Sequence, residues 1–179
     1  MNYTYAGIGS RETPPDICKI MTGIAKRLAH LGLTLHSGGA EGADSAFERG
    51  AILHRKIFLP WDGFEGKFID HKNKIHGEGS YLIPRYEESL VFKYHPGAKY
   101  LKQGALKLMS RNSYQVLGQD LKSPVDFVIC WTKDGKASGG TGQALRIAEA
   151  FTIPIFNLQR QDSLRSLGAF IINNYSSIV

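Results

Sequence analysis

The chain has 179 residues, 42% hydrophobic and 21% charged, with a net charge of +6 and 20 glycines. This size and mix predict one domain that buries roughly 70% of its unfolded surface, and they exclude disorder, collagen and coiled coil. No apolar run approaches the roughly 18–20 residues of a membrane span, and Cys18 and Cys130 stand far apart, so neither a membrane protein nor a disulfide scaffold is expected.

Tyr3–Ile8 predicts a first strand, stopped by Gly9-Ser10-Arg11. Thr13 ahead of Pro14-Pro15-Asp16 marks a helix start, with proline in the first turn and an acid at the positive dipole end. Ile17, Ile20, Met21, Ile24, Leu28 and Leu31 follow at helical spacing, and Gly32 ends the run. Residues 33–36 predict a second strand, 42–53 a helix, and 56–59 a third strand ending at Pro60. Residues 61–97 lose clear periodicity and predict an irregular insert with one short helix, a length of loop that is usually functional. A long helix is predicted over 98–120, the most apolar strand over 125–131, a helix over 142–151, a strand over 153–158 and a last helix over 162–173. The alternation of strand and helix predicts an α/β fold, an open and mainly parallel sheet with helices on both faces.

Charge is uneven: residues 55–122 hold 12 of the basic and 7 of the acidic residues, a net of +5. A basic middle suggests an anionic partner, although a solvated surface accounts for charge alone. The N-terminus has no basic stretch leading into an apolar run, so no secretory signal is expected and the cytoplasm is the default. The histidines, His71 and His76 of the insert among them, form no H-x-x-x-H pair, so no metal site is expected.

Three glycine-rich turns follow predicted strands: Gly7-Ile8-Gly9-Ser10-Arg11, Ser37-Gly38-Gly39-Ala40-Glu41-Gly42, and Ser138-Gly139-Gly140-Thr141-Gly142. Helix N-termini carry free N–H groups that favour an anion, and glycine lets a phosphate approach the backbone. Ligands of open α/β sheets sit beyond the carboxyl ends of the strands. Arg11 offers a fork to phosphate, or a surface ion pair. Glu41 and Asp44 favour the helix dipole, or accept ribose hydroxyls. Arg111 and Gln115 share a helix stripe bordered by Asn112, facing either a polar cleft or solvent. Trp61 stands just past a strand and could stack on a base; His95, before Pro96, could cap a helix or reach a ligand. No Walker lysine follows any turn, and G-x-G-x-x-G is poorly matched.

The segments G-I-G-S-R at 7–11, S-G-G-A-E-G-A-D at 37–44 and S-G-G-T-G-Q-A at 138–144 resemble the SLOG superfamily. This groups DprA/Smf proteins, LOG phosphoribohydrolases, YspA-like proteins and nucleotide-sensing domains. Ser110-Arg111-Asn112-Ser113 with Gly118 is similar to the R-N-R…G segment of DprA, and the chain looks like the short DprA-like proteins of tailed phages. The resemblance implies one Rossmann-like domain over residues 1–179, a nucleotide or nucleic-acid ligand at the glycine turns, and a homo-oligomer. LOG hydrolases carry a catalytic glutamate where this chain has Arg146, so no N-glycosidase turnover is expected; the second arginine of R-N-R is Ser113.

The first expectation is therefore a binder of a phosphorylated nucleotide or nucleotide-derived signal, including sequestration of a cyclic or ADP-ribose-type immune signal in a host cytoplasm. The alternatives are DprA-like single-stranded DNA binding and LOG-like nucleotide hydrolysis. No cofactor beyond the nucleotide ligand is expected. The predicted site comprises Gly9, Ser10, Arg11, Ser37, Gly38, Gly39, Glu41, Gly42, Asp44, Trp61, His95, Arg111, Asn112, Gln115, Ser138, Gly139, Gly140, Thr141 and Gly142.

Overall fold

The computed structural model describes residues 3–69 and 79–175, which leaves His71 and His76 outside the described residues. Strands β1 (Thr4–Gly9), β2 (Thr34–Ser37), β3 (Arg55–Leu59), β4 (Gly79–Leu82), β5 (Phe127–Trp131) and β6 (Ile155–Asn157) form one parallel sheet in the order β4-β3-β2-β1-β5-β6. Helices α1 (Pro15–His30), α2 (Ala43–Ala51), α3 (Glu88–Tyr94), α4 (Gln103–Leu117), α5 (Gly142–Ala150) and α6 (Ser163–Tyr175) complete the described elements with a 3-10 turn at Ala98–Tyr100. Among these residues no helix is long and apolar enough to cross a membrane.

Side chains alternate across each strand, so both sheet faces must be apolar to be covered. Tyr5, Leu35, Ile57, Leu59, Phe127 and Ile129 face one core with Met21 and Ala25 of α1, Phe47 of α2 and Leu167 of α6. Ala6, Ile8, Val128 and Cys130 face the other with Val116 and Leu117 of α4 and Leu145 and Ile147 of α5. Strand β5 is buried at every position, which is why its sequence reads as a continuous apolar run. Each fully buried Leu, Ile or Phe contributes about 1.5–3 kcal/mol, so these two layers supply the main drive to fold.

Two expectations need correction. The insert contains the short helix expected there, α3, but also an edge strand, β4, that was not. Gly79-Ser80-Tyr81-Leu82 has no apolar alternation, and its strand form comes from its pairing with Lys56–Leu59 of β3. The single helix over 98–120 is a 3-10 turn and then α4, because Leu101 and Lys102 are extended with ψ of 132° and 160°. Gly118, at φ 75°, ends α4 early. The other elements fall within two residues of the predicted bounds.

Candidate functional site

Strand order runs outward from β1 to β4 on one side and through β5 to β6 on the other, so the direction reverses between β1 and β5. Loops diverge at such a point and leave a crevice beyond the carboxyl ends of the strands. The crevice here is a cleft of about 520 Å³, walled by the first and third glycine turns, α4 and the loop after β5.

The first turn is a knot of backbone bonds. The Ser10 N–H donates to Trp131 O at 3.1 Å, and Ser10 O accepts from Thr13 Oγ1 at 2.7 Å and from the Ala43 N–H at 3.3 Å. Gly42, at φ 79°, packs so closely that an added Cβ would lie 2.6 Å from Ser10 O. Arg11 projects from this knot and pairs with Glu65 at 2.7 Å, keeping 56% of its side chain exposed.

The second turn already holds an anion, the carboxylate of Asp44. This group accepts from the backbone N–H of Ala40 at 3.4 Å and from Arg111 Nη1 at 3.3 Å, and the Gly38 N–H also bonds to it. Burial pushes the Asp44 carboxyl up, against the pull of Arg111, of the two amides and of Lys67. The same burial pushes the Arg111 guanidinium down, against the pull of Asp44. A guanidinium stays protonated in proteins, so Arg111 keeps its charge beneath the cleft. The Arg111 guanidinium also lies 5.7 Å from the Phe64 ring centroid and directly over the Cα of Gly38, where a Cβ would overlap it. Lys67 Nζ donates to Gly39 O at 2.8 Å, and Ser37 Oγ donates to Gly7 O at 2.6 Å.

The third turn is the open one. An added Cβ on Gly139 would meet nothing within 4 Å, and one on Gly140 only Met109 Cε at 3.7 Å. Among the described residues the N–H groups of Gly139, Gly140 and Thr141 donate to no protein acceptor. Asn112 Nδ2 donates to Gly140 O at 2.9 Å and fixes the turn against α4. The turn begins some way past β5, across a loop closed by Thr132 Oγ1 donating to Lys136 O at 2.8 Å.

Of the predicted residues, Gly9, Ser10, Arg11, Asp44, Arg111, Asn112, Gln115, Ser138, Gly139, Gly140 and Thr141 border the cleft. Ser37, Gly38, Gly39 and Gly42 lie outside its lining, within the packing described above, and Gly142 opens α5 behind Thr141. Glu41 is exposed. Trp61 packs edge-on against Phe64 at 5.2 Å, and His95 Nδ1 accepts from the Gly97 N–H at 3.1 Å; neither borders the cleft. Arg146 donates to the carbonyls of Tyr94 and Ala137, strapping α5 to its neighbours. The sequence reading missed Lys133 and the apolar wall of Leu108 and Met109. Lys133 is the second residue beyond β5, and only the sheet order places it at the point where strand order reverses.

Among the described residues no group of three or more His, Cys, Asp or Glu is placed to hold a metal. Three cations line the cleft, Arg11, Lys133 and Arg111, with two carboxylates, Glu12 and Asp44, the latter paired with Arg111; the undonated amides of the third turn share the same lining. Such a set can bind an anionic ligand with an apolar wall for a flat ring. Fold and cleft together define a Rossmann-like α/β domain with its crevice at the strand-order reversal. No family model matches the chain, and no curated protein matches it in sequence. Among solved structures it is similar to DNA processing protein A from Helicobacter pylori, whose structure was described for its single-stranded DNA binding mode. That match has a TM-score of 0.57 at 21% identity and covers 98% of this chain and 77% of that one. The likeness is one of fold.

Proposed function

We propose that the cleft binds single-stranded DNA, holding a phosphate-bearing nucleotide unit between the third glycine turn and Arg11. The observation that carries this reading is that the undonated amides at Gly139–Thr141 and the cations Arg11 and Lys133 line the same cleft. Backbone amides and guanidinium forks are the standard partners of phosphate. Two further features support a strand over an isolated ligand: the DprA-like fold with the known binding mode of that neighbour, and the net charge of +6 concentrated around α3 and α4. The motif resemblance to SLOG domains and to short phage DprA-like proteins is consistent with this reading.

The size of the cleft favours a second reading. About 520 Å³ suits a ligand of nucleotide size, so a free nucleotide or nucleotide-derived signal, held without cleavage, fits the same amides and cations. Arg146 stands where LOG enzymes carry their glutamate, and its Nε and Nη1 donate to backbone carbonyls, so a structural cation replaces the acid there, which favours retention over hydrolysis.

Fluorescence anisotropy separates the two. A labelled oligothymidine should bind in low salt, and Arg11→Ala with Lys133→Ala should weaken it about tenfold, the worth of roughly 1.4 kcal/mol. Binding of mononucleotides without binding of the strand would put the second reading first. No binding of either would contradict both.

A further inference from the structure

Residues 89–119 hold five cations and no carboxylate. One of them, Arg111, is sealed against Asp44. The other four, Lys93, Lys99, Lys102 and Lys107, make no ion pair among the described residues. Three of the four lie over tyrosine rings: Lys93 over Tyr94 at 5.1 Å, Lys99 over Tyr100 at 4.9 Å and Lys107 over Tyr86 at 4.8 Å. The same α3, 3-10 and α4 segment, with Tyr86 just before it, leaves large rings in solvent. Tyr100 is 78% exposed, Phe92 55% and Tyr86 44%.

Each feature has a cost when left unused. Lysines without acids repel one another, and exposed rings forgo burial. A lysine over a ring gains a cation–π contact on one face and leaves the other face free. Free ring faces interleaved with cations match a single strand, whose bases stack on any ring and whose phosphates meet the lysines. The surface also adjoins the cleft: Leu108, Met109 and Asn112 of α4 border it, and Lys107 precedes them on the same helix. An anionic lipid surface fits less well, because two of the three exposed rings carry hydroxyls and the cations alternate with them.

We propose that the α3–α4 surface is a second contact for single-stranded nucleic acid, taking the strand where it leaves the cleft through stacking on Tyr100 and Phe92. This inference rests on the strand reading of the cleft. It implies that a short strand uses the cleft alone and a longer one uses both.

The test compares oligothymidines of about 4 and about 16 nucleotides, the span of site sizes seen for single-strand grooves. Tyr100→Ala with Phe92→Ala should weaken the long strand by about thirtyfold or more and the short strand less than about twofold, since each lost stacking contact is worth at least about fivefold. Lys99→Gln with Lys102→Gln should reduce the salt slope for the long strand by about 1.4, at roughly 0.7 per phosphate contact. These side chains are exposed, so an unchanged melting temperature establishes that the variants are folded. Long-strand binding unaffected by either double variant overturns the proposal while leaving the cleft reading intact. Native protein that binds neither strand overturns both. Vesicles of phosphatidylserine and phosphatidylcholine are the control: binding lost in the ring variant, with no effect on the strand, assigns the surface to membrane and overturns the proposal.

Discussion

Arg111 and Asp44 form an ion pair at 3.3 Å beneath the cleft, with 8% and 4% of their side chains exposed. Each is the other's main compensation for leaving water. Removing one partner of such a pair leaves a buried uncompensated charge and costs about 3–5 kcal/mol. Asp44→Asn is therefore expected to lower urea-unfolding stability by that order, and Asp44→Asn with Arg111→Met to recover a large part of it. A single variant as stable as the native protein would contradict the pairing.

Gly38 and Gly140 should separate support from contact. A methyl at Gly38 overlaps the Arg111 guanidinium and approaches Gln115 Nε2 at 2.5 Å, so Gly38→Ala should destabilise by about 1–3 kcal/mol, as overpacking does. A methyl at Gly140 meets only Met109, so Gly140→Ala should keep the melting temperature. It should still weaken ligand binding, because the methyl stands where an anion would approach the amides. Equal thermal shifts for the two variants would refute this division.

The sequence exposed the fold at the level of alternating elements because β5 reads as a continuous apolar run and glycine turns punctuate the chain after β1 and β2. It hid β4, whose strand form depends on a partner distant in sequence, and the break at Leu101–Lys102, where no proline or glycine marks the extended backbone. Glycine turns were visible, but their separate purposes were not. Gly38 makes room for a side chain 73 positions away, and Gly42 for the backbone of the first turn, whereas Gly139 and Gly140 open to solvent. Only tertiary packing distinguishes these uses. Lys133 was hidden for a related reason, since its importance comes from the sheet order.

His36 makes stability pH-dependent. It is 4% exposed with no hydrogen-bond partner at either ring nitrogen among the described residues, packed edge-on to Phe58 at 5.3 Å. Burial, helped by Lys56, lowers its pKa to about 3. The unfolded chain takes up a proton near pH 6.5 and the folded one does not, so stability is full above that pH and declines below it. By pH 5 the loss from this group is about 2 kcal/mol at about 1.4 kcal/mol per unit. His36→Phe should remove that increment from the difference between unfolding at pH 7.5 and pH 5. An identical pH difference in the two proteins would contradict the account.

Glu65 competes with any ligand for Arg11. The pair is partly exposed, and such bridges are worth about 0.2–1 kcal/mol. Glu65→Gln is expected to tighten strand binding by about two- to fivefold at low salt, with the gain shrinking as salt screens the pair. Weaker binding in this variant would mean that Glu65 helps to position Arg11.

Amide chemical-shift mapping tests the central claim most directly. A titration of ¹⁵N-labelled protein with an oligothymidine reports each backbone N–H separately. The account predicts the largest shifts at Gly139, Gly140 and Thr141, at Arg11, and at the Asn112 side-chain amide. It predicts small shifts at Ala40 and Gly38, whose N–H groups Asp44 already holds. Shifts that leave the third turn untouched and fall elsewhere on the molecule would contradict it.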